Sequence, residues 1–326
     1  MSSSNVPQRK HGFLHHILLS MSRWAKNRLG PKPNPESPPS TPIPLRQQLI
    51  DAQVFRFNTP PQIEFKQLLL ERGYLMSRRT RTVELRDLIR RLQPVVPEEG
   101  LIRVGGEGDG GYLIPDNLSG IYACFSPGVA ESAQFEEELH ERCGAIAFLA
   151  DYSVEQAPVR GLSYQFLKKF LGTRNDEIYM RLDDWIATSL PESQEDFILQ
   201  MDIEGAEYRV LLDTPRSTLQ RFRIIVIEFH GLDQLFNADA FPWLQQVFDH
   251  LLEDFAVVHL HPNNCQPAWL ADEIQIPGVM EITLYRRDML KPSSKPVIYP
   301  HPLDRTNIPA LPDIKLAPCW GVAYRD

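Results

Sequence analysis

The sequence has few cysteines, no long apolar run and no excess of positive charge, and each shortage excludes a class of protein. Its four cysteines lie far apart without a C-x-x-C pair, so neither a disulfide scaffold nor a zinc motif is predicted. No apolar run approaches the roughly 20 residues of a membrane-spanning helix. Lys and Arg number 34 against 42 Asp and Glu, which argues against a nucleic-acid-coating surface. We therefore expect a reduced, cytoplasmic protein without a nucleic-acid partner.

The N-terminal part of the chain differs in composition from the rest. Residues 9–28 are basic and partly apolar, which suits a short amphipathic helix with weak peripheral contact to an anionic membrane. A frayed or partner-bound tail is the alternative. Residues 31–44 are half proline and predict a semi-rigid linker. The expected organisation is a disordered tail and linker at 1–44, a helical extension at 45–98, the main domain at 99–290 and an extended arm at 291–326.

Beyond residue 100, strand-like and helix-like segments alternate. The predicted strands are Ile121–Phe125, Ala145–Ala150, Glu177–Met180, Phe197–Met201, Ile224–Phe229, Ala256–Leu260 and Val279–Tyr285. The predicted helices are Ala133–Arg142, Tyr164–Leu171, Asp183–Ser189, Ala206–Leu212 and Pro242–Leu252. This alternation predicts an α/β fold with a doubly wound, mostly parallel sheet of seven strands that closes with a hairpin-like pair.

An acidic turn follows one of the buried strands. The strand Phe197–Met201 is followed by Asp202, then by Glu204 and Gly205, and then by a predicted helix. Ligands of open α/β sheets bind beyond the carboxyl ends of the strands, so Asp202 is a candidate catalytic residue. Alternatively, Asp202 and Glu204 only cap the following helix. We expect Glu204 and Glu207 to serve the turn and the helix start.

Two later strands carry further titratable groups to the same edge. One ends with Glu228 and His230, and the next has His259 and His261 on one face by its two-residue alternation. Histidine is a common base and metal ligand. Asp202, Glu228, His230 and His261 therefore suit either a divalent-cation site or a metal-free acid/base cluster, and the sequence leaves both open.

Two strand ends upstream have the features of a nucleoside site. The first strand ends in a turn with Ser126 and Gly128, and the second ends at Asp151 and Ser153. A carboxylate about 20 residues beyond a glycine turn is where α/β nucleotide sites hold ribose hydroxyls. Alternatively, Asp151 is an ordinary turn residue. The dinucleotide pattern G-x-G-x-x-G is absent and the next helix begins with glutamates, so a phosphate-poor nucleoside is favoured.

A glycine-rich segment precedes the first strand. Residues 105–111 contain five glycines together with Asp109, and Tyr112 follows directly. Such a segment is costly inside a helix or strand. It is either a loop that closes over a ligand, with Asp109 and Tyr112 as contacts, or the turn of a hairpin.

The segment Leu199–Glu207, L-Q-M-D-I-E-G-A-E, closely resembles the K-x-D-x-E-G-x-E hallmark of FkbM-type S-adenosylmethionine-dependent methyltransferases. Further matching pieces are Asp109–Tyr112, Phe135–Leu139, Glu228–Gly231, His259–Asn264, Glu281–Tyr285 and His301–Asp304. The resemblance implies a class I, Rossmann-like methyltransferase fold with S-adenosylmethionine over the first turn and Asp151 on its ribose. The cofactor side would comprise Asp109, Tyr112, Ser126, Gly128, Asp151 and Ser153. Ala130 stands where members often have a second glycine, and alanine fits there if its φ is negative.

The resemblance implies methyl transfer to a hydroxyl, often on a sugar, a glycan or a small natural product. We expect Asp202 and His230 to flank this acceptor, with His230 or His261 as base and Glu228 orienting the acceptor or ligating a metal. Two rivals remain. One is a degenerate methyltransferase fold that acts as an adaptor. The other is an NAD-dependent oxidoreductase, against which the missing dinucleotide pattern speaks.

Overall fold

The computed structural model describes residues 60–130, 132–159, 164–191, 195–321 and 323–324. The predicted tail and linker, with the expected membrane-contact segment at 9–28, lie outside the described residues. The chain divides into two units, Met1–Ser77 and Arg78–Asp326. The first unit contributes helix α1, Pro60–Glu71. Within the described ranges, no helix is both long enough and apolar enough to cross a membrane.

The second unit contains the remaining described helices and strands. Its helices are α2 (Thr82–Arg91), α3 (Gln134–Cys143), α4 (Leu182–Ser189), α5 (Glu207–Asp213), α6 (Arg216–Leu219) and α7 (Phe241–Leu252), with 3₁₀ turns at Leu232–Phe236 and Pro318–Trp320. Its strands are β1 (Leu101–Val104), β2 (Tyr112–Pro115), β3 (Ile121–Pro127), β4 (Ile146–Ala150), β5 (Tyr164–Leu167), β6 (Phe170–Leu171), β7 (Tyr179–Met180), β8 (Asp196–Met201), β9 (Phe222–His230), β10 (Phe255–Ala271), β11 (Ile274–Arg286), β12 (Ile298–Tyr299) and β13 (Ala323–Tyr324).

Seven of these strands form one mixed sheet in the order β10-β11-β9-β8-β3-β4-β5. Strand β11 runs antiparallel to both neighbours, and the other pairings are parallel. This is the predicted α/β, doubly wound, mostly parallel sheet with a hairpin at one edge. The strand order reverses between β3 and β8. The crevice beyond their carboxyl ends is therefore where such a fold binds ligands.

Most predicted helices and strands are confirmed, but the prediction for residues 164–180 is wrong. The sequence pattern places a helix at Tyr164–Leu171 and a sheet strand at Glu177–Met180. Instead, β5 pairs with β4 as the edge strand of the sheet, and β6 pairs with β7 in a separate two-stranded sheet. Apolar residues in this segment have helical spacing, but its aromatic residues also suit a strand. The free edge of β4 decides between the two, because it offers backbone hydrogen-bond partners.

The core on one face of the sheet is aromatic and tightly packed. The ring of Phe125 on β3 stacks on Phe148 of β4 at 4.7 Å between centroids, and Trp185 of α4 meets it edge-on at 5.0 Å. Such pairs add about 0.5–1.5 kcal/mol each to their burial. Because β3, β4 and α4 are fixed by this packing, the carboxyl ends of the strands have defined positions.

Gly128 brings the ends of β3 and β8 into direct contact. Its φ is 88°, and a Cβ placed on it would lie 1.6 Å from the backbone oxygen of Asp202. Its N–H donates to the backbone oxygen of Ala150 at 2.9 Å, and the Asp202 N–H donates to Pro127 at 3.4 Å. Only glycine permits both the left-handed φ and this close approach. The ends of β3, β4 and β8 are thereby held together.

Replacing Gly128 with alanine should lower the free energy of unfolding by roughly 2–5 kcal/mol, because left-handed strain and a backbone clash add. Gly144→Ala is the matched control, since φ there is 74° and nothing lies within 4 Å of the added Cβ. It should lose only about 1–2 kcal/mol. Urea unfolding measures both variants. Equal losses would contradict the close approach at Gly128.

Candidate functional site

A cavity of about 480 Å³ opens at the carboxyl ends of β3, β4 and β8. This volume lies within the range of roughly 300–1,000 Å³ that is usual for small-molecule sites. Its lining residues are Gly128, Ala130, Ala150, Asp151, Ser153, Phe170, Leu171, Gly172, Thr173, Arg174, Tyr179, Asp202, Ile203, Glu204, Ala206 and Arg209. Three predicted cofactor residues, Gly128, Asp151 and Ser153, are among them. The sequence did not predict that the segment from β6 to β7 forms one wall of this cavity, because the start of the segment has a helical pattern.

Asp151 ties the first two strand ends together. Its Oδ2 accepts the N–H of Ala130 at 3.0 Å, and its Oδ1 accepts both the N–H and the hydroxyl of Ser153 at 2.7 Å. A carboxylate can accept about four hydrogen bonds, so capacity for a ligand hydroxyl remains. Ala130 has a φ of 41°, so the negative φ with which alanine fits this position is not present.

Three other predicted cofactor residues lie outside the cavity lining. Ser126 is buried with its hydroxyl 3.3 Å from Cys124 Sγ, and it also hydrogen-bonds Glu136 of α3. The glycine-rich segment joins the antiparallel strands β1 and β2, so the hairpin alternative is the correct one. Within it, the Tyr112 hydroxyl accepts a hydrogen bond from Gln200 at 3.2 Å, and Asp109 faces a different group of side chains. The structure therefore does not bring Ser126, Tyr112 and Asp109 together with the other predicted cofactor residues at this cavity, and their cofactor roles stay predictions.

Beside the cavity lies a group of five titratable side chains, called the acidic cluster below: Asp109, Asp202, Glu228, His230 and Glu281. Glu228 on β9 and Glu281 on β11 are direct cross-strand partners. Among the described residues, potential ligand atoms converge within 4.8 Å in two triads, Asp202–Glu228–His230 and Asp109–Glu228–Glu281. The structure thus brings together three of the four residues expected at a cation or acid/base site. Glu281 was missed, although a lone carboxylate inside the apolar strand β11 was a usable signal.

Glu207, the first residue of α5, holds the acidic turn through hydrogen bonds to its backbone. It is fully buried, and its Oε1 accepts the N–H groups of Ile203 and Gly205 at 3.2 and 3.0 Å. The same oxygen accepts Nδ1–H of His230 at 3.2 Å. The expected role of Glu207 in the turn agrees with these contacts, but its hold on His230 was not foreseen.

The charges of the acidic cluster perturb one another strongly. Burial by itself lowers the pKa of His230, but Glu207, Asp202 and Glu204 outweigh it and raise that pKa to about 9. Burial raises the pKa of Asp202 to about 7 against the attraction of His230. Burial, and then the charge of Asp202, raises the pKa of Glu228. In the absence of another cation, the carboxylates around His230 therefore favour its imidazolium form at neutral pH.

His261 belongs to a separate group formed with the C-terminal arm. Its ring is parallel to that of His259 within 12°, as the strand alternation predicted, and both face Asp304. Nε2–H of His261 donates to Asn307 Oδ1 at 3.0 Å. Burial lowers the pKa of His261, but Asp304 and Glu281 outweigh this and raise it to about 9. His261 is in neither ligand triad, so the structure does not group it with Asp202, Glu228 and His230, and its base role stays a prediction.

Asn307 links this group to the acidic cluster. Its Nδ2 donates to Asp109 Oδ1 at 3.1 Å and to Glu281 Oε1 at 2.6 Å. The arm around it has no helical or strand periodicity, so a role for Asn307 could not be found from spacing. The nearby match at His301–Asp304 was the only sequence signal there.

Comparison with protein families gives one match to this chain. Residues 132–255 match the family model described as "Methyltransferase FkbM domain", and the acidic turn lies inside the matched range. The resemblance noted in the sequence is thereby confirmed. Comparison with curated proteins gave no significant match.

Among solved structures, Sp1610 of Streptococcus pneumoniae is similar to this chain. It is a proposed tRNA (m1A22) methyltransferase, crystallised in complex with S-adenosyl-L-methionine. The two share 16% identity with a TM-score of 0.31, over 55% of this chain and 72% of that one. At this level of similarity no residue here takes its role from that protein.

Asp304→Asn should lower the free energy of unfolding by about 2–4 kcal/mol at pH 6, because it leaves the buried imidazolium of His261 without its carboxylate partner. The folded-state pKa of His261 is raised from 6.5 to about 9, so the pair's contribution is full below pH 6.5 and fades through pH 9. The loss in the variant should therefore shrink toward pH 10. Denaturant unfolding at both pH values measures it.

Asp288→Asn is the control, because this exposed partner of Arg286 should contribute less than about 1 kcal/mol at either pH. A loss in Asp304→Asn that is equal at pH 6 and pH 10 would contradict a charged His261.

Proposed function

We propose that this chain, which matches the methyltransferase FkbM domain over residues 132–255, transfers the methyl group of S-adenosylmethionine to a hydroxyl oxygen of a sugar, a glycan or a small natural product. One observation carries the proposal. Asp202 both lines the cavity at the first two strand ends and belongs to the acidic cluster. The donor side and the acceptor side would therefore meet at one carboxylate, which stands in the family's acidic motif.

The residues of the cavity fit the donor. Asp151 has acceptor capacity for ribose hydroxyls, Gly128 leaves the turn without a side chain, and Phe170 and Tyr179 offer apolar surface to a nucleoside. When bound, S-adenosylmethionine supplies an electrophilic methyl group. A lone pair of the acceptor oxygen forms a bond to the methyl carbon, and the electrons of the broken C–S bond stay on sulfur. The acidic start of α3 suits this donor better than a pyrophosphate, since the donor carries a sulfonium.

The acidic cluster suits an acceptor with several hydroxyls. Glu228 and Asp109 offer carboxylate oxygens, and the Asn263 amide, which donates to Glu228 Oε1 at 3.0 Å, adds a polar group at the end of β9. Asp202 Oδ1 is buried and has no hydrogen-bond partner within the described part of the chain. In the proposed reaction it accepts the hydrogen bond of the reacting hydroxyl and so aligns its oxygen. The proton that the hydroxyl gives up leaves to solvent.

Asp151→Ala should weaken S-adenosylmethionine binding by about 10- to 100-fold, because a hydrogen bond to a charged group is lost. Isothermal titration calorimetry measures this. Ser153→Ala is the matched control, since it removes one bond of the turn and keeps the Asp151 carboxylate; it should weaken binding less than about threefold. Equal weakening would mean that Asp151 acts only through the turn. Wild-type protein that binds no S-adenosylmethionine would favour the adaptor alternative.

Asp202→Asn should reduce turnover by about 100-fold or more, because the acceptor is no longer aligned, with donor affinity unchanged within about threefold. Turnover is followed as labelled methyl transfer to a panel of mono- and oligosaccharides and small polyols. Glu204→Gln, in the same turn but with its side chain 88% exposed, should lose less than about tenfold. Full activity of Asp202→Asn would overturn its assigned role.

A further inference from the structure

Potential ligand atoms of three side chains of the acidic cluster, Asp202, Glu228 and His230, lie within 4.8 Å of one another. His230 Nε2 lies 3.6 Å from Glu228 Oε1 and 3.9 Å from Asp202 Oδ1, both too far for direct hydrogen bonds. Ligand atoms bonded to one ion at about 2.1 Å lie roughly 3–4 Å apart, so these separations suit a shared cation.

The histidine is oriented as a metal ligand would be. Because its Nδ1–H is donated to Glu207, a neutral His230 carries its lone pair on Nε2, on the side of the two carboxylates. Ligating histidines almost always donate their other ring N–H to a carboxylate or carbonyl in this way. Glu207 in turn is fixed by two backbone N–H groups, so the orientation is rigid.

Buried carboxylate oxygens in this triad lack partners. Glu228 is 5% exposed, and its Oε2 has no hydrogen bond within the described ranges, nor does Asp202 Oδ1. Burying carboxylate oxygens without a compensating partner is unfavourable. A divalent cation between them would offset that cost and the mutual repulsion of the carboxylates.

In the second triad, a protein group already links Asp109 and Glu281. Asn307 Nδ2 donates to both Asp109 and Glu281, which puts an amide donor where an ion would have to bind. We propose that Asp202, Glu228 and His230 bind one divalent cation of the Mn²⁺ class, next to the donor cavity. Two carboxylates with one imidazole form a mixed hard and borderline ligand set, which Mn²⁺ accepts.

The effect of this cation on catalysis, unlike its binding, rests on the proposed function. A cation beside the acceptor hydroxyl acts as a Lewis acid and lowers the pKa of that hydroxyl. Its proton can then leave to solvent.

The test is a Mn²⁺ titration of the full chain after chelator treatment and dialysis, without donor or acceptor. Calorimetry and electron paramagnetic resonance of free Mn²⁺ should give one ion per chain. Asp202→Asn and His230→Gln should each weaken binding at least tenfold, and Glu207→Gln, which only orients His230, about 10- to 100-fold. Asp109→Asn and Glu281→Gln are matched controls from the second triad and should bind within threefold of wild type.

Folding is checked in the same samples by circular dichroism and thermal unfolding, and Mn²⁺ should raise the Tm of wild type but not of Asp202→Asn. No wild-type binding at millimolar Mn²⁺, or loss of binding in Asp109→Asn with retention in Asp202→Asn, overturns the site. Binding as expected without methylation of any acceptor in the panel would count against the proposed function alone. Methylation by chelator-treated, Mn²⁺-free protein would remove the cation's catalytic role.

Discussion

The arrangement of this site depends on a single buried carboxylate oxygen. Oε1 of Glu207 accepts hydrogen bonds from two backbone N–H groups of the acidic turn and from the ring of His230. The turn determines where Asp202 lies at the end of β8, and the ring determines what faces Glu228 at the end of β9. Because one oxygen accepts from groups at both strand ends, this contact holds the two neighbouring strand ends in one register.

Local sequence signals were sufficient for the part of the site that lies on consecutive strand–turn–helix units. Three signals can each be recognised from a few neighbouring residues: the apolar run before Asp202, the glycine turn at Gly128 and the carboxylate at Asp151. The sheet places all three at its carboxyl edge. The segment from Tyr164 was misassigned because its apolar spacing fits both a helix and a strand. Pairing with β4, a contact distant in sequence, decides the outcome.

Alternation along a strand predicted correctly which face His259 and His261 share, but not what that face contacts. Strand β10 has a register shift just before His259, and the C-terminal arm packs against the two rings. No periodicity marks Asn307. Its two hydrogen-bond partners, Glu281 and Asp109, are 26 and 198 residues away in the sequence. The sequence could not place Ser126 for a related reason, since a strand residue just before a turn can face either side of the sheet.

The bridge that Asn307 makes between Asp109 and Glu281 has a consequence for the order of assembly. The sheet forms mainly from units close in sequence, whereas this bridge joins an early hairpin, a late strand and the arm beyond it. Contacts of such separation form late, because closing long loops has a high entropic cost. Until they form, the carboxylates of β9 and β11 face one another without this donor. We therefore expect the geometry of the acidic cluster to form late in folding, after the sheet is complete.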